Sequence, residues 1–225
     1  MTEKISDHLI ERNNQFLAFN KPAGLNIQPT KEEETSLLKM ASAYAKRNLF
    51  LLHRIDRPVS GVVILPKTKN SLTELERQWR AGSVQKTYLA LVKKAPEQIE
   101  GNLVHYLRHD TRRRRAVVLG IPEEKAKRAE LNYRVLASSD TYHLLEIALV
   151  TGRFHQIRAQ LAAIGSPIRG DVKYGARRGN RDRSIGLHAW KIAFDHPGSG
   201  ERTEITAPVP QGEPWNSLMA KLEES

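Results

Sequence analysis

Short apolar runs that stop at turn residues predict a series of β-strands along the chain. Residues 16–19 form an apolar run that ends at a proline–glycine turn, and residues 61–66 form a longer run typical of a buried strand. Alternation of apolar and polar positions predicts further strands over residues 84–92, 129–137, 142–150 and 187–194.

Apolar residues spaced three and four apart predict four helices, over residues 35–48, 70–80, 152–164 and 214–222. Thr35 or Ser36 can cap the first helix, and Gly165 and Pro167 end the third. Helices and strands do not alternate regularly along the chain, which disfavours a doubly wound parallel sheet. The pattern favours a mixed α+β domain around a largely antiparallel sheet.

The composition narrows the class of protein. The chain has 225 residues, of which 40% are hydrophobic and 27% charged, so we expect one folded domain over residues 1–225. It has no cysteine, which excludes a disulfide scaffold, a thiol nucleophile and a zinc site built on thiolates. No apolar run reaches the ~20 residues of a membrane span. The polar first 12 residues, which we expect to be mobile, show no signal peptide, so a cytoplasmic protein is expected.

Positive charge is in excess and is concentrated in two stretches. The chain has 36 Lys and Arg against 25 Asp and Glu, a formal net charge of +11, which points to a polyanion such as nucleic acid. Residues 105–128, which include the run Arg112 to Arg115, and residues 169–183 are rich in arginine. Each stretch is either a solvated loop or a phosphate-binding surface. Neither has the apolar face of a membrane-surface helix, so no membrane partner is expected.

The densest polar cluster is His53-Arg54-Ile55-Asp56-Arg57, which lies between apolar residues and a Pro-Val-Ser-Gly turn. The neighbouring cations favour an ionised Asp56 carboxylate. Such a carboxylate can be a nucleophile or a base, or it can be a partner in a structural ion pair. The residues alone leave both interpretations open.

Two further segments carry candidate site residues. If residues 152–164 are helical, Phe154, Ile157 and Arg158 share one face, so Arg158 lies beside apolar residues and needs a carboxylate partner, for which Asp56 is a candidate. An exposed arginine at the rim of the helix is the alternative. Tyr88 lies in the apolar strand 86–92, where a tyrosine either fills the core or stacks on a base.

Cofactor and metal motifs are absent from the sequence. The eight histidines show no HxH or HExxH arrangement, so we expect no metal site. The chain has neither a GxxxxGK[ST] nor a GxGxxG loop, which argues against ATP or a dinucleotide as cofactor.

Read together, these motifs resemble the RluA-type pseudouridine synthases. The resemblance rests on NKPAGL (20–25), HRIDRPVSG (53–61), KTYLALV (86–92), GRFHQIRAQLAAIGSPIRGDVKYG (152–175) and LHAWKIAFDHP (187–197), in the family's order and spacing. It implies the pseudouridine-synthase fold, with a curved mixed, mostly antiparallel sheet and a central RNA-binding cleft, and activity without cofactor or metal. An N-terminal S4 domain, which larger relatives carry, is not expected. Val59 and Phe154 depart from the family's pattern.

The resemblance also implies roles for individual residues. Asp56 matches the essential aspartate, and Arg54 matches the arginine that enters the RNA where the target uridine leaves. Tyr88 matches the tyrosine that stacks on the flipped uracil, Arg158 the arginine that pairs with the catalytic carboxylate, and Leu187 an apolar residue of the uracil pocket. The implied function is conversion of uridine to pseudouridine in ribosomal or transfer RNA. By default we expect a monomer without an obligate protein partner. A non-catalytic RNA chaperone on the same fold and a metal-dependent nuclease are the alternatives.

Overall fold

A computed structural model of the protein describes residues 4–30 and 33–223. Over these residues it has four α-helices and ten β-strands, and every strand pair whose register is described is antiparallel. The predicted α+β class is confirmed. The chain divides into two compact units, Met1–Lys86 with Ala189–Val209, called unit 1, and Thr87–His188 with Pro210–Ser225, called unit 2.

The elements follow one another along the chain with these bounds. The helices are α1 (Leu37–Ala45), α2 (Lys69–Ala81), α3 (Gln156–Ala163) and α4 (Trp215–Glu223), with 3-10 helices at Ile5–His8 and Val172–Tyr174. The strands are β1 (Leu9–Arg12), β2 (Phe16–Lys21), β3 (Ser60–Pro66), β4 (Gln85–Val92), β5 (Glu100–Asp110), β6 (Arg115–Leu119), β7 (Lys127–Ser138), β8 (His143–Leu149), β9 (Leu187–Asp195) and β10 (Arg202–Thr206).

Unit 1 is built on β2 and β3, which pair antiparallel and bury nearly all their side chains. Its strands lie in the order β1, β2, β3, β9, β10. Leu17, Phe19 and Val63 pack with residues of α1 in one hydrophobic core. Gly61 lies against β9 so closely that a Cβ at this position would approach the carbonyl oxygen of Ala189 to 2.2 Å, so only glycine fits.

Unit 2 holds the antiparallel strands β4, β8, β7, β5 and β6 in that order. β5 and β6 form a hairpin whose turn carries Arg112, Arg113 and Arg114, all exposed. Ala159 of α3 packs with Leu107 and Ala129 in a second hydrophobic core. The hairpin therefore holds the arginine run on a regular scaffold rather than in an irregular loop.

The structure departs from the sequence expectations at three places. Residues 5–12 form a 3-10 helix and β1, neither of which the sequence predicted, while residues 1–3 lie outside the described residues. The third helix begins at Gln156 rather than at residue 152, so the prediction that Phe154 shares a helix face with Arg158 is wrong. The strands β5, β6 and β10 have no counterpart among the predicted ones, because each has a single fully buried residue and therefore no clear inward-facing side.

Candidate functional site

Asp56 lies in an irregular segment, residues 53–59, that leads directly into β3 and is called the aspartate loop. The loop turns at Asp56, whose carbonyl oxygen accepts a hydrogen bond from the Val59 N–H at 3.1 Å. Asp56 is partly buried and Arg54 is exposed. In the part of the chain that the structure describes, no carboxylate pairs with Arg54, so its guanidinium is available to an external anion.

His53 fastens the start of the aspartate loop to the sheet. Its Nε2 accepts a hydrogen bond from the Ile64 N–H of β3 at 3.0 Å, and its ring stacks on Trp79 of α2 with centroids 4.9 Å apart. Burial of the ring, reinforced by the Lys86 ammonium, lowers the pKa of His53 to about 3. His53 is therefore neutral near pH 7 and anchors the loop. The sequence analysis counted it among the cations around Asp56, but the buried ring carries no charge at this pH.

Because His53 is buried in its neutral form, we expect the folded protein to lose stability as the pH falls. Between pH 6.5 and about 3 the folded ring stays neutral while the unfolded ring takes up a proton, so the free energy of unfolding falls as the pH falls. We expect this group to contribute a slope of at most about 1.4 kcal/mol per pH unit. Urea titrations of the wild type and of His53→Gln at pH 7.5, 6, 5 and 4 measure it. The variant should show the smaller pH dependence, and equal slopes in both proteins would contradict the assignment.

Lys21 fixes the other side of the aspartate loop from inside the protein. Its side chain is fully buried, and its Nζ donates to the carbonyl oxygens of Pro22, Leu25 and Arg57 at 2.8, 2.9 and 3.2 Å. The Arg57 carbonyl also accepts from the Gly24 N–H at 2.7 Å, and Arg57 Nε donates to the Gly24 carbonyl at 2.8 Å. The NKPAGL turn and the aspartate loop are thus joined at one point, immediately after Asp56.

The buried ammonium also contributes to the electrostatics of Asp56. Burial lowers the pKa of Lys21 to about 7, and the negative charge of Asp56 opposes this shift. Sequence reasoning missed Lys21; the available signal was a lysine at the end of an apolar strand, directly before proline.

In unit 2, Arg158 forms a bidentate ion pair with Asp171. Its Nε lies 2.7 Å from Asp171 Oδ2 and its Nη2 lies 2.9 Å from Oδ1, and the two side chains are only 6% and 1% exposed. The expectation of an arginine held among buried residues by a carboxylate is met, with a partner that the sequence analysis did not name. Pairing of Arg158 with Asp56 stays a prediction.

The segment before α3 is held by side-chain hydrogen bonds from Gln156. Its Oε1 accepts from the Thr151 hydroxyl at 2.8 Å and from the Arg153 N–H at 2.9 Å, and its Nε2 donates to the Glu130 carbonyl at 3.0 Å. These bonds explain why a glutamine stands between His155 and Arg158 in the motif: it fastens the turn that brings Arg158 into α3.

Tyr174 connects the arginine hairpin to the Arg158–Asp171 pair. Its hydroxyl accepts from the Ala116 N–H of β6 at 2.6 Å, and its ring lies 5.1 Å from the guanidinium carbon of Arg158. Burial raises the pKa of Tyr174, so its hydroxyl stays protonated near neutral pH. Sequence reasoning missed this tyrosine.

The remaining predicted site residues are both on strands. Tyr88 is partly buried in β4, opposite Ile147 of β8, and Leu187 is 4% exposed at the start of β9. In residues 4–30 and 33–223, no three His, Cys, Asp or Glu side chains come together in a group that could hold a metal ion. Within the same residues, no helix is long and apolar enough to cross a membrane.

Comparison with known proteins identifies the family. Residues 15–163 match the family model described as RNA pseudouridylate synthase. An uncharacterized RNA pseudouridine synthase of Mycoplasma pneumoniae, the MG209 homolog, is 34% identical over 193 residues, which are 84% of this chain and 62% of the relative. The ribosomal large subunit pseudouridine synthase C of Escherichia coli K12 is 30% identical over 223 residues, 92% of this chain and 68% of the relative. The chain belongs to the RNA pseudouridylate synthase family.

The fold agrees with this membership. The solved structure of human RNA pseudouridylate synthase domain containing 4 superposes with a TM-score of 0.76 at 21% identity and covers 97% of this chain and 94% of that one. The structure of human RNA pseudouridylate synthase domain containing 1 gives 0.75 at 24% identity, with coverages of 96% and 94%. The chain spans somewhat less than two thirds of the length of several bacterial relatives that it matches.

Proposed function

We propose that the protein is an RNA pseudouridine synthase that isomerises uridine in ribosomal or transfer RNA, with Asp56 as its catalytic carboxylate. Membership of the family, together with an aspartate held in a fastened loop beside a buried lysine, supports this proposal. Relatives named ribosomal large subunit pseudouridine synthase C favour ribosomal RNA as the substrate. The proposal takes residues 1–225 as one catalytic domain, which acts as a monomer in the cytoplasm, where these RNAs are found.

The proposed reaction rearranges one nucleotide without an external reagent. The glycosidic bond between C1′ of the ribose and N1 of uracil breaks, and a bond from C1′ to C5 forms. The proton on C5 passes to solvent, and N1 gains a proton. The uracil has to leave the base stack first, at a cost of a few kcal/mol. A carboxylate suits this chemistry because it can act on the ribose or on the ring and then leave again.

Four further residues have proposed roles that rest on the motif resemblance. Arg54 enters the RNA at the vacancy that the flipped uridine leaves, which its exposed side chain allows. Tyr88 stacks on the uracil, and Leu187 lines the uracil pocket. Arg158 pairs with the catalytic carboxylate, and its bidentate attachment to Asp171 suits a positioning role.

The direct test of the function is an assay on defined RNA. Ribosomal and transfer RNA from a strain that lacks the gene is labelled with uridine tritiated at C5 and incubated with the purified protein. We expect tritium release into water and at least one new pseudouridine in the mapped RNA, at a position that is modified in the parent strain. No release from either class of RNA would overturn the proposal.

The arginine run has the free charge that phosphate binding requires. In the stretch 105–128, Arg108 pairs with Glu123 at 2.9 Å and Arg128 with Glu130 at 2.5 Å, so part of the excess charge is neutralised locally. Among the described residues, no carboxylate pairs with Arg112 or Arg114. These two arginines, at the exposed turn of the β5–β6 hairpin, are therefore the better candidates for contact with RNA phosphates.

Neutralising these two arginines is expected to weaken RNA binding and its dependence on salt. Each lost phosphate contact should reduce the slope of log K against log salt by about 0.7 to 0.9, so Arg112→Ala with Arg114→Ala should reduce it by up to about 1.8. Fluorescence anisotropy with a ribosomal RNA fragment at 50–300 mM KCl measures the slope. Arg108→Ala, which removes an arginine already paired in the same hairpin, is the matched control and should change the slope least. If the double variant kept the wild-type slope of log K against log salt, Arg112 and Arg114 would not contact RNA phosphates and would only be solvated surface residues.

A further inference from the structure

Three aromatic rings lie in contact at the surface of unit 2, outside the residues to which the proposed function assigns a role; one pair is stacked and the other is tilted by 44°. They are His109 of β5, Phe154 in the turn before α3, and His155 at the start of that helix, called here the ring ladder. The centroids of Phe154 and His109 lie 4.2 Å apart, and those of Phe154 and His155 lie 3.8 Å apart with the rings inclined by 18°. Phe154 is 40% exposed and His109 is also exposed, so two of the three rings are open to solvent, while His155 is partly buried.

The backbone holds the ladder in a fixed position. His155 has φ 51° and ψ 28°, the left-handed conformation, which is uncommon for a residue other than glycine and needs support from its surroundings. That support comes from the Tyr174 hydroxyl, 2.9 Å from His155 Nδ1, and from the Gln156 side chain, which accepts from the Arg153 N–H. Because both neighbours of Phe154 are fastened, a ligand that stacks here meets a surface that is already ordered.

Positive charge lies on both chain segments that carry the ladder. Arg112 and Arg114 follow His109 in the turn of the hairpin, and Arg153 directly precedes Phe154, with its Nε fixed to the Arg128 carbonyl at 3.0 Å. None of these three guanidinium groups is paired with a carboxylate within residues 4–30 and 33–223. Exposed aromatic rings among unpaired cations are the combination that binds single-stranded nucleic acid: the rings stack on bases and the cations hold phosphates.

We propose that the ring ladder is a stacking subsite for an unpaired base of the substrate RNA, with the adjoining phosphates held by Arg112, Arg114 and Arg153. This inference rests on the proposed function, since it takes RNA as the partner. The base that stacks here is a second base, not the uracil assigned to Tyr88. Stacking accepts every base, so the subsite selects RNA that is single-stranded at this point and does not select a sequence.

The test measures binding of a short unpaired RNA to stacking variants. The probe is a fluorescein-labelled oligouridylate of about ten nucleotides, long enough to span one such site, with 2-aminopurine at its centre as a reporter of stacking. Phe154→Ala should raise the Kd about fivefold or more and reduce quenching of the 2-aminopurine. Phe154→Trp should bind at least as well as the wild type. Phe154→Leu, which keeps an apolar side chain without a ring, should behave like the alanine variant.

A matched control and a second variant keep the result decisive. Ile99→Ala removes an exposed apolar side chain (75% exposed) on another part of unit 2 and should leave the Kd unchanged. His109→Ala removes a ring from a different strand and should also weaken binding, which decides the matter if Phe154→Ala does not fold. The inference would be overturned if both ring variants kept the wild-type Kd and quenching, or if Phe154→Leu bound like the wild type. In that case tritium release by the wild-type protein would still support the proposed function. Absence of both binding and tritium release in the wild type would overturn the two together.

Discussion

Replacement of Asp56 with asparagine is expected to reduce pseudouridine formation by on the order of 10⁴-fold, since the proposed reaction depends on the negative charge and the nucleophilic oxygen that the amide lacks. Asparagine has nearly the size of aspartate, and the turn of the aspartate loop is closed by the backbone, from the Val59 N–H to the Asp56 carbonyl. The effect should therefore fall on the rate and not on RNA binding. Single-turnover tritium release measures the rate, and anisotropy measures the binding.

The matched control is Asp140→Asn, which changes an exposed carboxylate in unit 2 and should keep the wild-type rate. Unchanged release by Asp56→Asn would remove Asp56 from the catalytic role. If, in addition, cells with the Asp56→Asn protein kept the parental pseudouridines and growth, the non-catalytic RNA chaperone would become the better interpretation of this fold. Cleavage of the RNA by the purified protein, abolished on addition of EDTA, would instead favour the metal-dependent nuclease.

The sequence predicted the helices and strands in which apolar residues are continuous or recur at a regular spacing. β3 and α2 were placed within one residue of their observed ends, because β3 is apolar after Ser60 and α2 carries apolar residues such as Leu75 at helical spacing. The hairpin of β5 and β6 was missed as strands because most of its residues are only partly buried or exposed and just one in each strand is fully buried, so the burial pattern gives little signal. β10 buries only Ile205 and was missed for the same reason.

The candidate site was predicted where chemistry is local in sequence and missed where it depends on distant chain segments. Asp56 and Arg54 stand in one short motif, which a reader of the sequence can find. Lys21 acquires its role only when carbonyl groups from residues 22, 25 and 57 converge on its ammonium. Asp171 and Tyr174 likewise reach Arg158 through folding, 13 and 16 residues away along the chain. Spacing alone does not indicate which carboxylate a buried arginine will take.

The partner of Arg158 supplies the second prediction with a large effect. Asp171→Asn is expected to lower the free energy of unfolding by about 3 kcal/mol or more, because it leaves a nearly buried guanidinium without its bidentate carboxylate. The asparagine amide also turns a donor toward the N–H groups of the arginine, so one of the two hydrogen bonds is replaced by a repulsive contact. At about 2–4 °C per kcal/mol for a chain of this size, the melting temperature should fall by roughly 6–12 °C.

Asp195→Asn provides the comparison that isolates burial. Asp195 pairs with Arg202 at 3.2 Å, but both side chains are more than 40% exposed, so its loss should cost at most about 1 kcal/mol. Calorimetry and urea unfolding of the two variants beside the wild type measure the difference. A similar small loss in both would show that the Arg158–Asp171 pair contributes no more than a surface ion pair. A large loss in Asp171→Asn alone would show that the rigid pair is part of what holds α3, and with it Arg158, in place for the role that the proposed reaction gives it.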